Sequence, residues 1–270
     1  MIRETLALTK RELLRLGRNP QALGTSLLLP ILYLLLFGQG FSFGSFASGS
    51  VVLGAPTYFS YFAAGMAGFV AVTATLFIGA NVIFDRLFGI LKRISSTPAS
   101  ALSIFGARLL AGLLQPVGLA FLVLGLAIAL PHVGLSGLKV TASVGVLGGA
   151  EIVLAIVILS VMFASLFLAI GFSTEQPQTY FAVVNAINLP VLLTSAALYP
   201  WGFMPDWLRT IAAYNPVTLA IEVVRINLFA GAAGYYPYAA WTYLLGLLGW
   251  AAAMILIASL LARRALGPRR

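Results

Sequence analysis

Apolar residues run in long, nearly unbroken stretches, without the alternation of a half-buried strand or the one-sided stripe of a soluble helix. The stretches cover about residues 21–41, 58–83, 104–130, 142–170, 179–198 and 238–261. Each is near or above the ~20 residues a helix needs to cross a hydrocarbon core, so the pattern predicts six transmembrane helices and an all-α integral membrane protein. Residues 1–19 follow a different rule. Ile2, Leu6, Thr9, Leu13 and Leu16 recur at helical spacing while Arg3, Lys10, Arg11, Arg15 and Arg18 project elsewhere. That pattern predicts an amphipathic interfacial helix on the membrane surface; the plainer reading is a basic flank that orients the next span. Ser45-Phe46-Ala47 resembles a small-x-small processing site, but the long basic region before the first stretch and the spans after it favour retention as a transmembrane helix.

Two interruptions break the pattern. Residues 84–101 carry Phe88, Ile90, Leu91 and Ile94, too apolar for a free loop, beside Arg86, Lys92 and Arg93, which forbid a span. A short helix lying across the membrane face satisfies both groups, either docked in a groove of a cytosolic partner or resting on anionic lipid. Residues 199–237 join aromatic and proline-rich turns to apolar pieces at 207–213 and 217–229, with Trp201, Trp207, Tyr214, Tyr235 and Tyr236 suited to the membrane interface. Two short re-entrant helices dipping into the outer leaflet are expected here, where irregular backbone is tolerated if protein or a hydrated cavity surrounds it. One poor additional span is the alternative, giving seven helices.

Charge fixes the orientation expected of six spans. Of sixteen Lys and Arg residues, thirteen lie in the first segment, around 84–108 and in the tail (Arg263, Arg264, Arg269, Arg270), against Lys139, Arg209 and Arg225 on the other side. Basic residues favour the cytoplasmic face, so both termini are expected in the cytoplasm of a cell-membrane protein, and the four tail arginines oppose a seventh span. The net charge of +9 does not point to nucleic acid, because the basic residues are not interleaved with stacking aromatics on one face. With 61% hydrophobic and 9% charged residues the chain lacks the charge a soluble surface needs.

Little in the chain can do bond-breaking chemistry. It has no cysteine, and His132 is its one histidine, a solvated loop residue beside Pro131. No Gly-x-x-x-x-Gly-Lys-Ser/Thr phosphate loop occurs, so nucleotide-driven work needs a partner. Polar residues inside the spans are the remaining candidates. Asn185, Asn188, Thr194 and Ser195 fall on one broad face of the fifth stretch, either for helix packing or as a hydrated path, with Asn81, Thr73 and Thr75 weaker candidates in the second. Glu151 is the one acid in an otherwise apolar stretch and calls for a partner such as Arg225, Lys139 or a neighbouring subunit, or for a cationic substrate. Glu222 and Arg225 are spaced to meet on one helical face, which by itself predicts local order only.

Three stretches together resemble the ABC-2 type permeases, membrane subunits of daunorubicin-resistance-like multidrug and lipo-oligosaccharide exporters. They are Leu8-Thr9-Lys10-Arg11-Glu12-Leu13-Leu14-Arg15 through Pro20 with Leu29-Pro30-Ile31-Leu32-Tyr33; Asp85-Arg86 with Gly89-Ile90-Leu91-Lys92-Arg93 and Thr97-Pro98; and Met204-Pro205-Asp206-Trp207-Leu208 with Tyr214-Asn215-Pro216 and Glu222-Val223-Val224-Arg225. Leu87 stands where the family's loop often has a second acid. The resemblance implies an ABC-2, or type V exporter-like, fold forming one transmembrane domain over 1–270. It implies a connecting helix over 1–19 and a coupling helix within 84–101, with Asp85, Arg86, Phe88, Gly89, Lys92, Arg93 and Pro98 as coupling residues. It further implies an ATP-binding-cassette ATPase partner that holds ATP and Mg, a second permease chain, and a path between the two chains lined by second and fifth spans. The cargo it implies is an amphiphilic drug, lipid or glycolipid moved outward. An ion-gradient-driven secondary transporter using Glu151 is the rival; a membrane enzyme is disfavoured by the shortage of His, Asp and Glu.

Overall fold

The computed structural model of the protein describes residues 28, 30–40, 55–90, 101–229 and 239–266. Among them the regular structure is helical. A π-helical stretch, Leu34–Gly38, sits in a longer helical segment and is followed by α1 (Tyr58–Leu87), α2 (Ala101–Ala129), α3 (Val146–Ser173), α4 (Pro177–Leu193), α5 (Asp206–Tyr214), α6 (Pro216–Leu228) and α7 (Ala240–Leu266). Among the described residues four stretches, Tyr58–Leu87, Leu102–Val133, Val146–Ser173 and Ala240–Arg264, are long and apolar enough to cross a membrane. They are the expected second, third, fourth and sixth spans with ends moved by a few residues. The expected fifth span is the 17-residue α4, which gives way at Thr194 to turns and does not run on to residue 198. Residues 30–40 carry the later part of the expected first span, and the interfacial helix over 1–19 lies outside the described residues.

Helix ends follow local chemistry. Thr57, in extended backbone, accepts the Ser60 N–H on Oγ1 at 3.2 Å and caps α1. Gly89, at φ +70°, closes the other end in the left-handed conformation that glycine adopts without strain. α1 therefore runs a turn beyond the expected loop start at residue 84, because Asp85 is a buried helical residue and not a loop residue. Asn215 caps α6 by accepting the Val217 N–H at 2.9 Å, with Pro216 at the first helical position.

The bundle centres on α1 and α3. α3 packs on α1 and α7, α1 on α2, and α6 lies across α1, α3 and α7. Small residues allow the close approach: a Cβ added to Gly171 would stand 2.6 Å from the Gly79 carbonyl oxygen, so the α1 and α3 backbones touch there. α2 and α7 expose Leu114, Leu122, Trp241 and Leu256, an outer face suited to lipid tails as apolar as leucine itself.

The described part of 199–237, up to Phe229, holds the short helices α5 and α6, which meet at Asn215. At that tip Tyr214 O accepts the Trp250 indole N–H at 3.1 Å and the Asn215 amide donates to Val191 O at 2.7 Å. At the far end Leu228 O accepts from Thr141 N at 3.0 Å. Gly68 meets Ile221 while Tyr61 meets Arg225, so α6 runs antiparallel to α1 and its tip lies roughly ten residues, about 15 Å, along that helix.

Candidate functional site

Two positions four apart on a helix face one way, and the chain uses this twice beside one cavity. Tyr33 and Phe37 project from the π-helical region, Tyr58 and Phe62 from the start of α1. Phe69 stands edge-on to Tyr33 at 5.6 Å, Tyr33 tilts on Phe37 at 5.6 Å, Phe37 stacks on Phe62 at 6.3 Å and Phe62 on Tyr58 at 6.0 Å. This file of five rings forms one wall of a cavity of about 490 Å³. Leu189, Leu192 and Leu193 of α4 and residues 198–200 with Phe203 form the rest. Among the described residues, no charged side chain lines it. Leu189, Leu193, Tyr199 and Phe203 are themselves exposed, so the cavity opens on the flank of the bundle. Its volume falls in the range of small-molecule sites.

A buried polar frame holds the wall that includes Leu198, Tyr199 and Pro200. Glu222 and Arg225, each 2% exposed, pair at 2.9 Å. The second terminal nitrogen of Arg225 donates to Ala196 O at 2.8 Å and Tyr61 O at 3.2 Å, and the guanidinium stacks 3.5 Å over the Tyr61 ring. The Tyr61 hydroxyl lies 2.8 Å from Ala196 O and 2.9 Å from Tyr199 O, and the Trp201 indole N–H donates to Glu222 at 3.3 Å. Thr218 Oγ1 accepts the Ala196 N–H at 3.0 Å. Beyond Ser195 the turn leaves the hydrogen-bond ladder of α4, and these side chains pair the Ala196 N–H and the carbonyls of Ala196 and Tyr199. The Glu222–Arg225 spacing, expected to order only its own helix, thus anchors a segment belonging to a different element.

The expected polar face of α4 is divided. Tyr180, Val184, Asn188 and Leu192, spaced by four, form the buried stripe against the bundle, whereas Asn185 is exposed. Asn188 Oδ1 is buried without a hydrogen-bond partner. Ser195 Oγ bonds back to Leu192 O at 2.6 Å, and Thr194 bonds to Pro190 O at 2.8 Å while accepting from Asn215 at 3.1 Å. Thr73 and Thr75 return to their own helix, at Phe69 O and Val72 O. Asn81 lines a separate cavity of about 50 Å³ with Arg108 and Gln115. Glu151 pairs with neither Arg225 nor Lys139; Asn227 donates to it at 2.9 Å. Arg225 is already committed to Glu222, and Lys139 lies exposed in the loop before α3.

At the opposite end of α1 the expected coupling residues take different roles. Asp85 is fully buried and bonded to Arg108 at 2.7 Å. Arg86 donates to Thr174 O at 2.7 Å and Phe172 O at 2.9 Å. Phe88 is 73% exposed. Gly89 provides the left-handed turn, and Lys92, Arg93 and Pro98 lie outside the described residues.

Residues 3–229 match the family described as ABC-2 type transporter. The chain belongs to this family. Two proteins named as the transport permease ycf38 are similar to it: that of Porphyra purpurea is 31% identical over 231 residues, 83% of this chain and 74% of the relative. That of Cyanophora paradoxa is 30% identical over 245 residues, 90% of this chain and 77% of the relative. A Mycobacterium tuberculosis protein named as the doxorubicin resistance ABC transporter permease protein DrrC is 24% identical over 234 residues, covering 83% of this chain and 76% of that protein. The chain is thus the multi-pass membrane permease subunit of an ABC-2 type transporter, a class that works with an ABC ATPase subunit.

In this ABC-2 permease the sequence reading missed Tyr61, Trp201, Arg108, Asn227 and Tyr180 as partners. Tyr180 donates to Leu76 O at 2.6 Å and fastens α4 to α1. A polar tip on a large apolar body, as in tyrosine and tryptophan, needs a partner once buried, and that was the available signal. It does not say which distant carbonyl supplies the partner.

Proposed function

We propose that this permease moves an amphiphilic drug, lipid or glycolipid outward by alternating access, driven by a separate ATP-binding-cassette ATPase that holds ATP and Mg. The observation that carries the reading is the uncharged aromatic cavity between residues 30–40, α1 and α4, sized for the apolar body of such a cargo. The name of the similar DrrC protein, with its doxorubicin resistance, supports a drug as one kind of cargo. The arrangement we infer is one transmembrane domain over 1–270 with six spans and both termini cytoplasmic. Residues 1–19 serve as the connecting helix, the part of 84–101 beyond Leu87 as the coupling segment, and 199–237 as the outer re-entrant region built around Asn215, Pro216, Glu222 and Arg225. Asn185 is exposed on α4, and an amide facing hydrocarbon is costly. A second permease chain, like or unlike, covers that face and leaves Asn185 and Thr194 beside the path.

Reconstitution with the ATPase subunit, followed by ATP-dependent movement of doxorubicin and of a fluorescent phospholipid in vesicles, tests the proposal. Leu189→Trp, at an exposed position of the cavity wall, is expected to fill the cavity and suppress transport while the complex still assembles. Movement under a proton gradient without nucleotide would instead favour the rival built on Glu151, near the start of α3, whose observed partner is the neutral Asn227 of α6.

A further inference from the structure

We propose that Arg86 is a positioning residue that carries movement at the end of α1 into α4, and so to the wall of the aromatic cavity; this rests on the ATP-driven permease reading above. α3 has no basic residue in its last turn, and its C-cap Thr174 is in extended backbone. The last carbonyls of a helix carry partial negative charge and seek donors. Arg86 supplies them from another helix, with Nη1 on Thr174 O at 2.7 Å and Nη2 on Phe172 O at 2.9 Å. A planar guanidinium fork holds two acceptors at once, which an ammonium group does not reproduce.

What Arg86 grips is a short linkage. Only residues 174–176 separate α3 from α4, and the Tyr180 hydroxyl, one turn into α4, donates to Leu76 O of α1 at 2.6 Å. α1 therefore holds the end of α3 through Arg86 and the first turn of α4 through Leu76 O, while the far end of α4 presents Leu189, Leu192 and Leu193 to the cavity. A helix of this length is a lever of about 25 Å. Asp85, the neighbour of Arg86, is bonded to Arg108 and fixes the same end of α1 to α2. Gly79, two turns back from Arg86 on α1, touches the α3 backbone at Gly171, the residue before Phe172, and this contact supplies a fulcrum between the two helices. Displacing the end of α1 thus tilts α4 about that contact, provided the Arg86 bonds hold.

The test uses the permease assembled with its ATPase subunit in vesicles, reading fluorescent phospholipid or doxorubicin moved per ATP hydrolysed, whichever the unaltered complex transports. Arg86→Gln is expected to leave assembly and basal hydrolysis intact and to lower movement per ATP roughly tenfold, with Arg86→Lys between the two. The chain has no cysteine, so Arg86→Cys with Thr174→Cys can be bridged by a bifunctional thiol reagent, and the bridge is expected to restore movement per ATP. Unchanged movement per ATP in Arg86→Gln overturns the inference, as does a bridged pair that stays uncoupled. Loss of co-purification with the ATPase also overturns it, by making Arg86 a contact of the partner. If Arg86→Gln does not accumulate, Arg86→Lys and the bridged pair carry the same test. An unaltered complex that moves neither probe with ATP sinks the proposed export of amphiphiles, not the family assignment.

Discussion

At the scale of single residues, the Glu222–Arg225 pair shows how a small sequence signal conceals a large structural commitment. Removing either partner leaves the other charge buried, and removing Arg225 also takes away a donor from the carbonyls of Ala196 and Tyr61. Arg225→Ala or Glu222→Ala should therefore destabilise the protein by about 3–5 kcal/mol, seen as a lowered thermal unfolding midpoint in detergent. Tyr61→Phe removes only the hydroxyl contacts and should cost less, about 1–3 kcal/mol. Sequence spacing correctly indicated that Glu222 and Arg225 share a helical face. It carried no sign of Tyr61, which lies 164 positions from Arg225, because burial of the pair depends on how distant helices meet. Asn188 gives the converse case: its Oδ1 is buried and unpartnered, so Asn188→Leu should be neutral or stabilising by about 1 kcal/mol. Asn185→Leu, on the exposed face, should instead impair transport at normal abundance. Equal effects of the two substitutions on transport would count against the division of α4 described here.

Among elements, length and apolarity were enough to locate four spans, since a helix that long and that apolar has few other places to be. Their ends were less legible. α1 outruns its expected end because Asp85 finds Arg108 and Gly89 supplies the stop, one a tertiary contact and the other a local rule overshadowed by the charges around it. Packing between elements leaves a sequence trace only as scattered glycines, and their roles differ. Gly79→Ala would drive a methyl into the backbone of α3, whereas a methyl on Gly112 meets the side chain of Ile78, which can shift. Gly79→Ala should thus cost about 1–3 kcal/mol and Gly112→Ala appreciably less, measured side by side as thermal stability in detergent.

For the whole molecule, the topology makes a direct prediction about access. Trp207 is 64% exposed and Val217 fully buried, so a cysteine at 207 should react from outside the cell with a membrane-impermeant reagent while one at 217 stays protected. Labelling of position 207 from the cytoplasmic side would reverse the proposed orientation. The lateral mouth of the aromatic cavity has a further consequence for how transport is measured. An uncharged pocket opening on the flank of a bundle draws solutes already dissolved among lipid tails, so the concentration it senses is amount per lipid, not amount per volume of water. Adding empty liposomes at constant total solute should then slow transport by dilution within the bilayer, and the apparent half-saturation value should rise with the lipid in the assay. Values from preparations of different lipid content become comparable once expressed as mole fractions.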